Sequence, residues 1–115
     1  MSVEKHEDLL QACPKLAAAF ALLGKRWTAL ILDVVAARPA RFCEIQRAIP
    51  GLSERLLAER LRELAAHGLV ERTPPDGRTG SYELTPIGVR LLPALDELRS
   101  WAGQLAPAGS ARTAV

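Results

Sequence analysis

The chain has 115 residues, of which 49% are hydrophobic and 24% are charged. This length allows one domain with a single modest core and excludes a large multidomain enzyme, while the composition excludes a disordered or collagen-like chain. Fifteen Lys and Arg residues against thirteen Asp and Glu residues leave a net charge of +2, so the total charge does not by itself indicate a nucleic-acid partner.

The two ends of the chain are expected to be flexible tails. Residues 1–12 and 106–115 carry no apolar period, which leaves residues 13–105 as the folded domain. No apolar run reaches the roughly 18 residues that a membrane span needs, and the first residues are too acidic for a secretory signal peptide. We therefore expect a soluble, cytoplasmic protein with no membrane partner.

Four segments with helical periodicity precede any strand signal, so the fold class is predicted to be mainly α. The first helix is expected to begin at Cys13-Pro14 and to end at Gly24, and the second to run from Arg26 to Arg38. A short third helix follows. The residues expected to face the core are Trp27, Leu30, Ile31 and Val34 in the second helix, and Phe42, Ile45 and Ile49 in the third.

The fourth helix has the strongest signals at both ends. Pro50-Gly51 breaks the chain tightly, Ser53 is a good N-cap, and Gly68 ends the helix. Its buried stripe repeats at i, i+4 and i+7 and consists of Leu57, Leu61 and Leu64. Two short helices separated by such a turn, the second capped and charged on its outer side, predict a helix-turn-helix.

A small β-hairpin is predicted after Gly68. Residues 69–73 and 81–85 alternate as two strands, and residues 74–80 between them contain turn-forming Asp-Gly and Gly. The hairpin would carry Arg78 near its tip.

The last helix is expected to start at Thr85-Pro86 and to kink near residues 89–92, because Pro93 removes one backbone hydrogen bond. Its apolar residues step by four and three along the helix. They are Leu91, Leu95, Leu98, Ala102 and Leu105. A row, or seam, of apolar residues with this spacing is typical of a helix that packs against a partner helix.

The outer face of the fourth helix is a candidate for reading DNA. At 100° per residue, Arg55, Glu59 and Arg62 lie opposite the leucines. Arginine can read guanine edges in the major groove, and glutamate can accept a hydrogen bond from a cytosine amine. Arg78 and Thr79 in the hairpin can meanwhile reach phosphates or the minor groove.

Local charge supports the same interpretation. Residues 25–47 carry an excess of three positive charges, which can contact the phosphate backbone. Arg41, Arg47 and Ser53 complete the candidate DNA-binding set. The alternative is that the outer face of the fourth helix is only solvated, with its charges paired at i,i+3 and i,i+4. Since residues 53–78 hold five arginines and five acids, a winged-helix protein-interaction module without DNA binding is a second hypothesis.

Other chemistry is poorly supported by the sequence. Cys13 and Cys43 are too few for a disulfide scaffold and form no Cys-x-x-Cys pair. Gly24-Lys25 lacks the second glycine and the hydroxyl residue of a phosphate-binding loop, and no arrangement of Ser, His and Asp is typical of a hydrolase. We therefore expect no enzyme activity, no metal and no cofactor.

Several short motifs together resemble the HxlR-type winged helix-turn-helix transcription regulators, which are distant relatives of the MarR regulators. The resemblance runs from Cys13 to about Gly103. The wing departs slightly, because Gly80-Ser81 stands where an apolar and an acidic residue are common. The motifs are Cys13-Pro14, Gly24-Lys25-Arg26-Trp27, Arg41-Phe42-Cys43-Glu44-Ile45, Ile49-Pro50-Gly51-Leu52-Ser53, Leu57 with Leu61 and Leu64, Gly68-Leu69-Val70-Glu71-Arg72, Tyr82-Glu83-Leu84-Thr85 with Gly88, and Trp101.

This resemblance implies a bacterial homodimer, held by its terminal helices, that binds an operator and usually represses a neighbouring gene. Two-fold symmetry then predicts an inverted-repeat operator in double-stranded DNA, with half-sites roughly 34 Å apart. The residues expected at the dimer interface are Leu16, Phe20, Leu91, Leu95, Leu98, Trp101, Ala102 and Leu105.

Some members of this family sense oxidants, quinones or aldehydes through a cysteine near the first helix, and Cys13 matches that position. A thiol at a helix N-terminus, followed closely by Lys15, is expected to favour the reactive thiolate. Cys43 is a candidate to pair with Cys13, within one chain or across the dimer. The alternative is that both cysteines are only small space-filling residues.

Overall fold

The computed structural model describes residues 10–73 and 80–106 of the chain. Within them, helices dominate and three short strands form one sheet, which confirms the mainly α fold with a β-hairpin. In chain order the elements are α1 (Pro14–Leu23), α2 (Thr28–Ala37), β1 (Ala40–Arg41), α3 (Phe42–Ala48), α4 (Glu54–Ala66), β2 (Val70–Thr73), β3 (Ser81–Leu84), α5 (Pro86–Arg90) and α6 (Leu92–Ala102).

The helix-turn-helix consists of α3, a short turn and α4. Gly51 in the turn has a φ of 92°, a left-handed conformation that favours glycine. The Gln46 side chain donates to the carbonyl of Leu52 at 3.2 Å and so ties α3 to the turn. Ser53 caps α4 as predicted, since its Oγ accepts a hydrogen bond from the backbone N–H of Leu56 at 3.1 Å. Both ends of the turn are therefore held by specific hydrogen bonds.

One hydrophobic core joins α2, α3 and α4 to the sheet. Every residue predicted as the buried stripe of α4 lies in it, and so do Ile45 and Ile49 from the third helical segment. Phe42 packs against its edge. The buried apolar residues are Ile31, Leu32, Val35, Ala40, Ile45, Ile49, Leu52, Leu57, Leu61, Leu64, Leu69 and Val70.

The predicted buried stripe of α2 is correct at Ile31 and is otherwise displaced by one residue along the helix. Leu30 is 51% exposed, and Trp27 and Val34 are only partly buried. The residues that α2 buries are Thr28, Ile31, Leu32 and Val35. Because α2 is apolar around most of its circumference, two adjacent stripes satisfy the same helical spacing, and periodicity alone cannot choose between them.

The sheet contains one strand more than the predicted hairpin. Its order is β1-β3-β2 with antiparallel pairing throughout, and Arg41 of β1 lies opposite Ser81. On the other side of β3, Thr73 also lies opposite Ser81. β1 was not predicted because two residues are too few to show alternation. The hairpin loop, with Arg78 and Thr79, lies outside the described residues.

The last helix is interrupted at Leu91, within the region of the predicted kink. Leu91 lies between α5 and α6 with right-handed helical backbone angles, and Pro93 is the second residue of α6. Pro93 has no N–H to donate, and its ring clashes with the carbonyl four residues earlier, so a continuous helix is disfavoured at this point. Leu91 and Leu95, the first part of the predicted seam, are partly buried against the core of their own chain.

Gly88 brings α5 close to the strand that follows α4. A Cβ at this position would lie 2.3 Å from the carbonyl oxygen of Leu69. Thr85 stabilises this close approach, because its Oγ1 donates a hydrogen bond to the carbonyl of Gly68 and accepts one from the N–H of Gly88. The buried glycine thus fixes how closely α5 packs on the winged domain.

We expect Gly88→Ala to lower the free energy of unfolding by about 1–3 kcal/mol, since the added methyl group must displace the backbone of Leu69. Gly103→Ala is the matched control and should lower the free energy of unfolding less. Its Cβ would lie 3.3 Å from the carbonyl oxygen of Ser100, at the exposed end of α6. Urea unfolding followed by circular dichroism, at one fixed protein concentration, measures both. A Gly88→Ala protein as stable as the wild type would contradict the close approach.

Candidate nucleic-acid interface

The outer face of α4 is set by the burial of its inner face. Leu57 and Leu64 are fully buried and Leu61 nearly so. The predicted opposite side is exposed along its length, and its charged residues are Arg55, Glu59 and Arg62. The predicted DNA-reading face is therefore presented to solvent by a helix that the core holds firmly.

These three side chains have no partner among the described residues. The solvated-face alternative predicts i,i+3 and i,i+4 pairs along α4, yet within the described part of the chain the one such pair on this helix joins Arg60 to Glu63 at 3.6 Å. Arg55 and Arg62 make no ion pair with described residues. Each guanidinium has five donors in a fixed geometry, so both are available to an external acceptor.

Arg60 and Glu63 hold α4 to the turn between α1 and α2, residues 24–27. The Arg60 Nε donates to the carbonyl of Arg26 at 3.0 Å, and the Lys25 Nζ contacts the Glu63 carboxylate at 2.9 Å. The Lys25 ammonium lowers the pKa of the Glu63 carboxyl below its ordinary value. These charges act within the chain, and neither Arg60 nor this contact was predicted, because partners 34 and 38 residues apart leave no periodic signal.

Arg41 lies at the base of the wing. It is exposed, and its register opposite Ser81 places it beside the strand that leads out of the hairpin loop. Its backbone N–H donates to the Glu44 carboxylate at 2.8 Å, and Arg38 contacts the same carboxylate at 3.4 Å. The Arg41 N–H, and after it Arg38, lower the pKa of Glu44. Glu44 is thus engaged in capping α3, and its negative charge is paired with Arg38.

Two further arginines lie near this surface, one on α3 and one on the base of the wing. Arg47 is exposed in the last turn of α3. Arg72, which was not predicted as a site residue, lies over the Tyr82 ring at 5.7 Å, and the absence of a Cβ at Gly80 leaves room for its guanidinium. The structure therefore places one further arginine on the base of the wing.

Both cysteines are exposed, free thiols in the single chain. Cys13 is the N-cap of α1, at the positive end of the helix dipole. Cys43 is the second residue of α3. In the described structure no residue of α1 is buried, so the helix that begins at Cys13 stands on the surface of its own subunit.

Large apolar side chains are exposed on the helices at both ends of the domain. Trp101 is 56% and Leu98 is 38% exposed, and Ala102 lies on the same exposed segment. Leu91 and Leu95, predicted for the same interface, are shared with the core. The other exposed large apolar residues in the described structure are Leu10, Leu16, Phe20, Leu30, Ile87, Val89 and Leu105.

In the part of the chain that the structure describes, no group of three or more His, Cys, Asp and Glu side chains could hold a metal ion. In the same residues, no helix has both the length and the apolar character that a membrane crossing requires.

Comparison with known proteins identifies the family. Residues 22–110 match the HxlR-like helix-turn-helix family. The chain is 43% identical over 99 residues to the HTH-type transcriptional regulator YodB of Bacillus subtilis, covering 84% of this chain and 88% of YodB. It is 42% identical over 94 residues to the uncharacterized HTH-type regulator YvaP of the same organism, covering 80% and 87%.

Solved structures give the same result. The quinone-bound YodB from B. subtilis superposes with a TM-score of 0.72 at 44% identity, covering 82% of this chain and all of that chain. The redox regulator HypR in its oxidized form superposes with a TM-score of 0.72 at 26% identity, covering 84% of this chain and all of that one. The chain belongs to the HxlR-like helix-turn-helix family and is a DNA-binding transcription regulator of the winged helix-turn-helix fold.

Proposed function

We propose that the protein is a homodimeric repressor that binds an inverted-repeat operator, with α4 of each subunit in the major groove. The observation that carries this proposal is the exposed face of Arg55, Glu59 and Arg62, which is unpaired among the described residues and lies opposite a buried row of leucines. The protein then acts by binding and not by catalysis. In a bacterial cell it works in the cytoplasm, where the DNA lies.

The dimensions of α4 suit the major groove. Its 13 residues make a rod about 20 Å long, and the groove is about 12 Å wide. Arg55 and Arg62 each offer two donors to the acceptor pair of a guanine edge, while Glu59 can accept from a cytosine amine. Because this face carries charges of both signs, we expect it to contribute more to base-specific recognition than to nonspecific electrostatic attraction of DNA.

Contacts to the phosphates would position this helix. Arg41 and Arg47 are exposed on either end of α3. Ser53 accepts the cap hydrogen bond through its Oγ, so its hydroxyl hydrogen is still free to be donated to a phosphate oxygen. We assign Arg78 and Thr79 of the wing loop to the minor groove or its phosphates, as the sequence predicts.

The exposed apolar side chains of α1 and α6 support the dimer. Phe20 and Trp101 each leave about half of their surface in water in the single chain. Burying such surfaces against a second copy contributes roughly 25 cal/mol for each Å² removed from water, from which the entropic cost of association is subtracted. Two-fold symmetry of that pair then places the two α4 helices about one DNA turn, roughly 34 Å, apart.

The direct experiment is a gel shift of the reduced protein with the DNA upstream of its own gene at several salt concentrations. We expect a specific complex containing two chains per duplex, with an affinity that falls as salt rises, because bound cations are released from the phosphates. The absence of any specific complex at low salt would contradict the proposal.

We expect Arg55→Ala and Arg62→Ala each to cost about 1–3 kcal/mol of operator binding and to relax the base preference at one position. Arg78→Ala should instead weaken binding to all sequences alike and flatten the salt dependence. Arg90→Ala, an exposed arginine at the end of α5, is the matched control and should bind as the wild type does. Negligible losses for both Arg55 and Arg62 variants would show that this face of α4 is only solvated.

Leu98→Glu is expected to separate the dimer, because the new charge would be buried in an apolar interface. Since Leu98 is 38% exposed in the single chain, the subunit itself should still fold. Ser100→Glu, 200° around the same helix, is the control. Sedimentation should show a monomer for Leu98→Glu and a dimer for Ser100→Glu, and the Leu98→Glu protein should no longer bind the operator in a gel shift. A Leu98→Glu protein that remains a dimer would refute the interface.

We further propose that Cys13 senses oxidants or electrophiles. Its thiol is exposed at the start of α1, and structures of YodB exist in quinone-bound, diamide-treated and reduced forms. A Cys13 thiolate would add to a quinone ring carbon, forming an S–C bond while the ring gains the electron pair and a proton as a hydroquinone. Diamide would instead take two electrons and two protons from Cys13 and Cys43 as they form a disulfide.

We expect diamide or a quinone to reduce operator affinity of the wild type and to leave that of Cys13→Ser unchanged. Cys43→Ser should still respond to the quinone, which needs one thiol, and should lose any disulfide-linked species on a non-reducing gel. A Cys13→Ser protein that responds like the wild type would refute the sensing role.

A further inference from the structure

We propose that residues 24–27 are a mechanical coupling element that transmits a change at the start of α1 to the DNA-reading helix α4. This inference deepens the proposed function and rests on it for its DNA readout. It concerns the contacts of Lys25 and Arg26 with Glu63 and Arg60, which we call the clamp.

The clamp joins two elements that are otherwise far apart in the chain. Lys25 contacts the Glu63 carboxylate at 2.9 Å, and the Arg26 carbonyl accepts from Arg60 at 3.0 Å. The Arg60 side chain is 15% exposed, so its hydrogen bond lies in a partly desolvated place where electrostatic contacts are stronger than in water. Two consecutive residues of the turn therefore grip two residues one helical turn apart on α4.

The turn itself is held in one conformation. Trp27 has a φ of 81°, which is strained for a residue with a side chain and persists only where the surroundings enforce it. The Arg26 guanidinium lies 4.5 Å from the centre of the Trp27 ring, and the rim of that ring reaches the turn before α4, where a Cβ on Gly51 would lie 3.5 Å away. A rotation of this turn is thus passed to both the start and the middle of α4.

On its N-terminal side, this turn is joined directly to α1. α1 runs for ten residues, about 15 Å, from Cys13 to this turn, and in the described structure none of its residues is buried. Only its last turn packs on the core, through Leu22 and Leu23. Within its own subunit α1 is held by this turn and by Leu22 and Leu23, while the proposed dimer holds the rest of it through Phe20. A change at Cys13 that moves α1 against the partner would therefore reach Gly24 and Lys25, which follow it directly.

The effect on DNA follows from the geometry of α4. Its leucine row holds it along one line, and contacts on a flank are needed to stop it from rolling about that line. Leu56 packs on the core along this flank, and Arg60 and Glu63 add the contacts with the α1–α2 turn. Arg55 and Arg62 point to the solvent. The Glu63 Oε1 accepts no hydrogen bond, and its contact on this side is the ion pair with the Arg60 guanidinium at 3.6 Å. Releasing the clamp would change the angle at which the arginines meet the groove.

The test uses N-ethylmaleimide to label Cys13 to completion in the full-length Cys43→Ser protein, verified by mass spectrometry. We expect labelling to reduce operator affinity at least fivefold, which is the lower end of typical allosteric coupling. In a Lys25→Glu variant of the same protein, where the clamp is repelled, labelled and unlabelled forms should bind within twofold of each other. The reciprocal pair Lys25→Glu with Glu63→Lys should restore the difference.

Lys15→Glu is the matched control, because it makes the same substitution on α1 without touching the clamp, and it should keep the full effect of labelling. Lys25 is exposed, so its variant is expected to fold, which circular dichroism checks. Clamp variants that respond to the label as fully as the parent would overturn the coupling.

Hydrogen exchange separates this inference from the proposed function, since it needs no DNA. Labelling should speed the exchange of α4 amides in the Cys43→Ser protein and leave them unchanged in its Lys25→Glu variant. If the unlabelled protein fails to bind any operator, the repressor proposal fails while the exchange result still decides the coupling. A labelled parent whose α4 exchange is the same as that of the unlabelled form would overturn the coupling even if operator binding is intact.

Discussion

The burial of one row of leucines on α4 is the constraint on which the rest of the structure depends. Leu57, Leu61 and Leu64 enter a core shared with α2, α3 and the sheet, and their positions leave no choice about which side of the helix meets solvent. Arg55 and Arg62 are exposed because these leucines are buried. Hydrophobic packing therefore decides which side of α4 forms the proposed DNA-reading surface, and the flank contacts with the α1–α2 turn then set its angle.

The charges around this helix divide into two groups with different tasks. Those on the outer face are unpaired among the described residues, whereas Arg60 and Glu63 on the flank are engaged with the α1–α2 turn. A protein that only needed a soluble helix would gain by pairing the outer charges with one another. Leaving them free while pairing the flank is consistent with a helix that is held from inside and reads a ligand from outside.

The sequence predicts the parts of the fold that have a periodic apolar pattern or a residue that marks a helix end. The leucine spacing and the Ser53 cap are local signals, and both were predicted correctly. The α2 stripe was not, since a helix that is apolar on most sides offers two stripes with the same period, and Leu30 proved exposed. The two-residue strand β1 is too short for alternation, and the flank contacts of Arg60 depend on tertiary packing between distant segments, which periodicity does not encode. The outer face of α4 was predictable because it is the complement of a local pattern.

Amide chemical shifts of the isotope-labelled, reduced protein during titration with its operator duplex test the central claim most directly. The account predicts that the largest changes fall in residues 53–66, that they saturate at two chains per duplex, and that a scrambled duplex does not reproduce them. Changes confined to α1 and α6, or equal changes with both duplexes, would contradict the assignment of α4 as the DNA-reading helix.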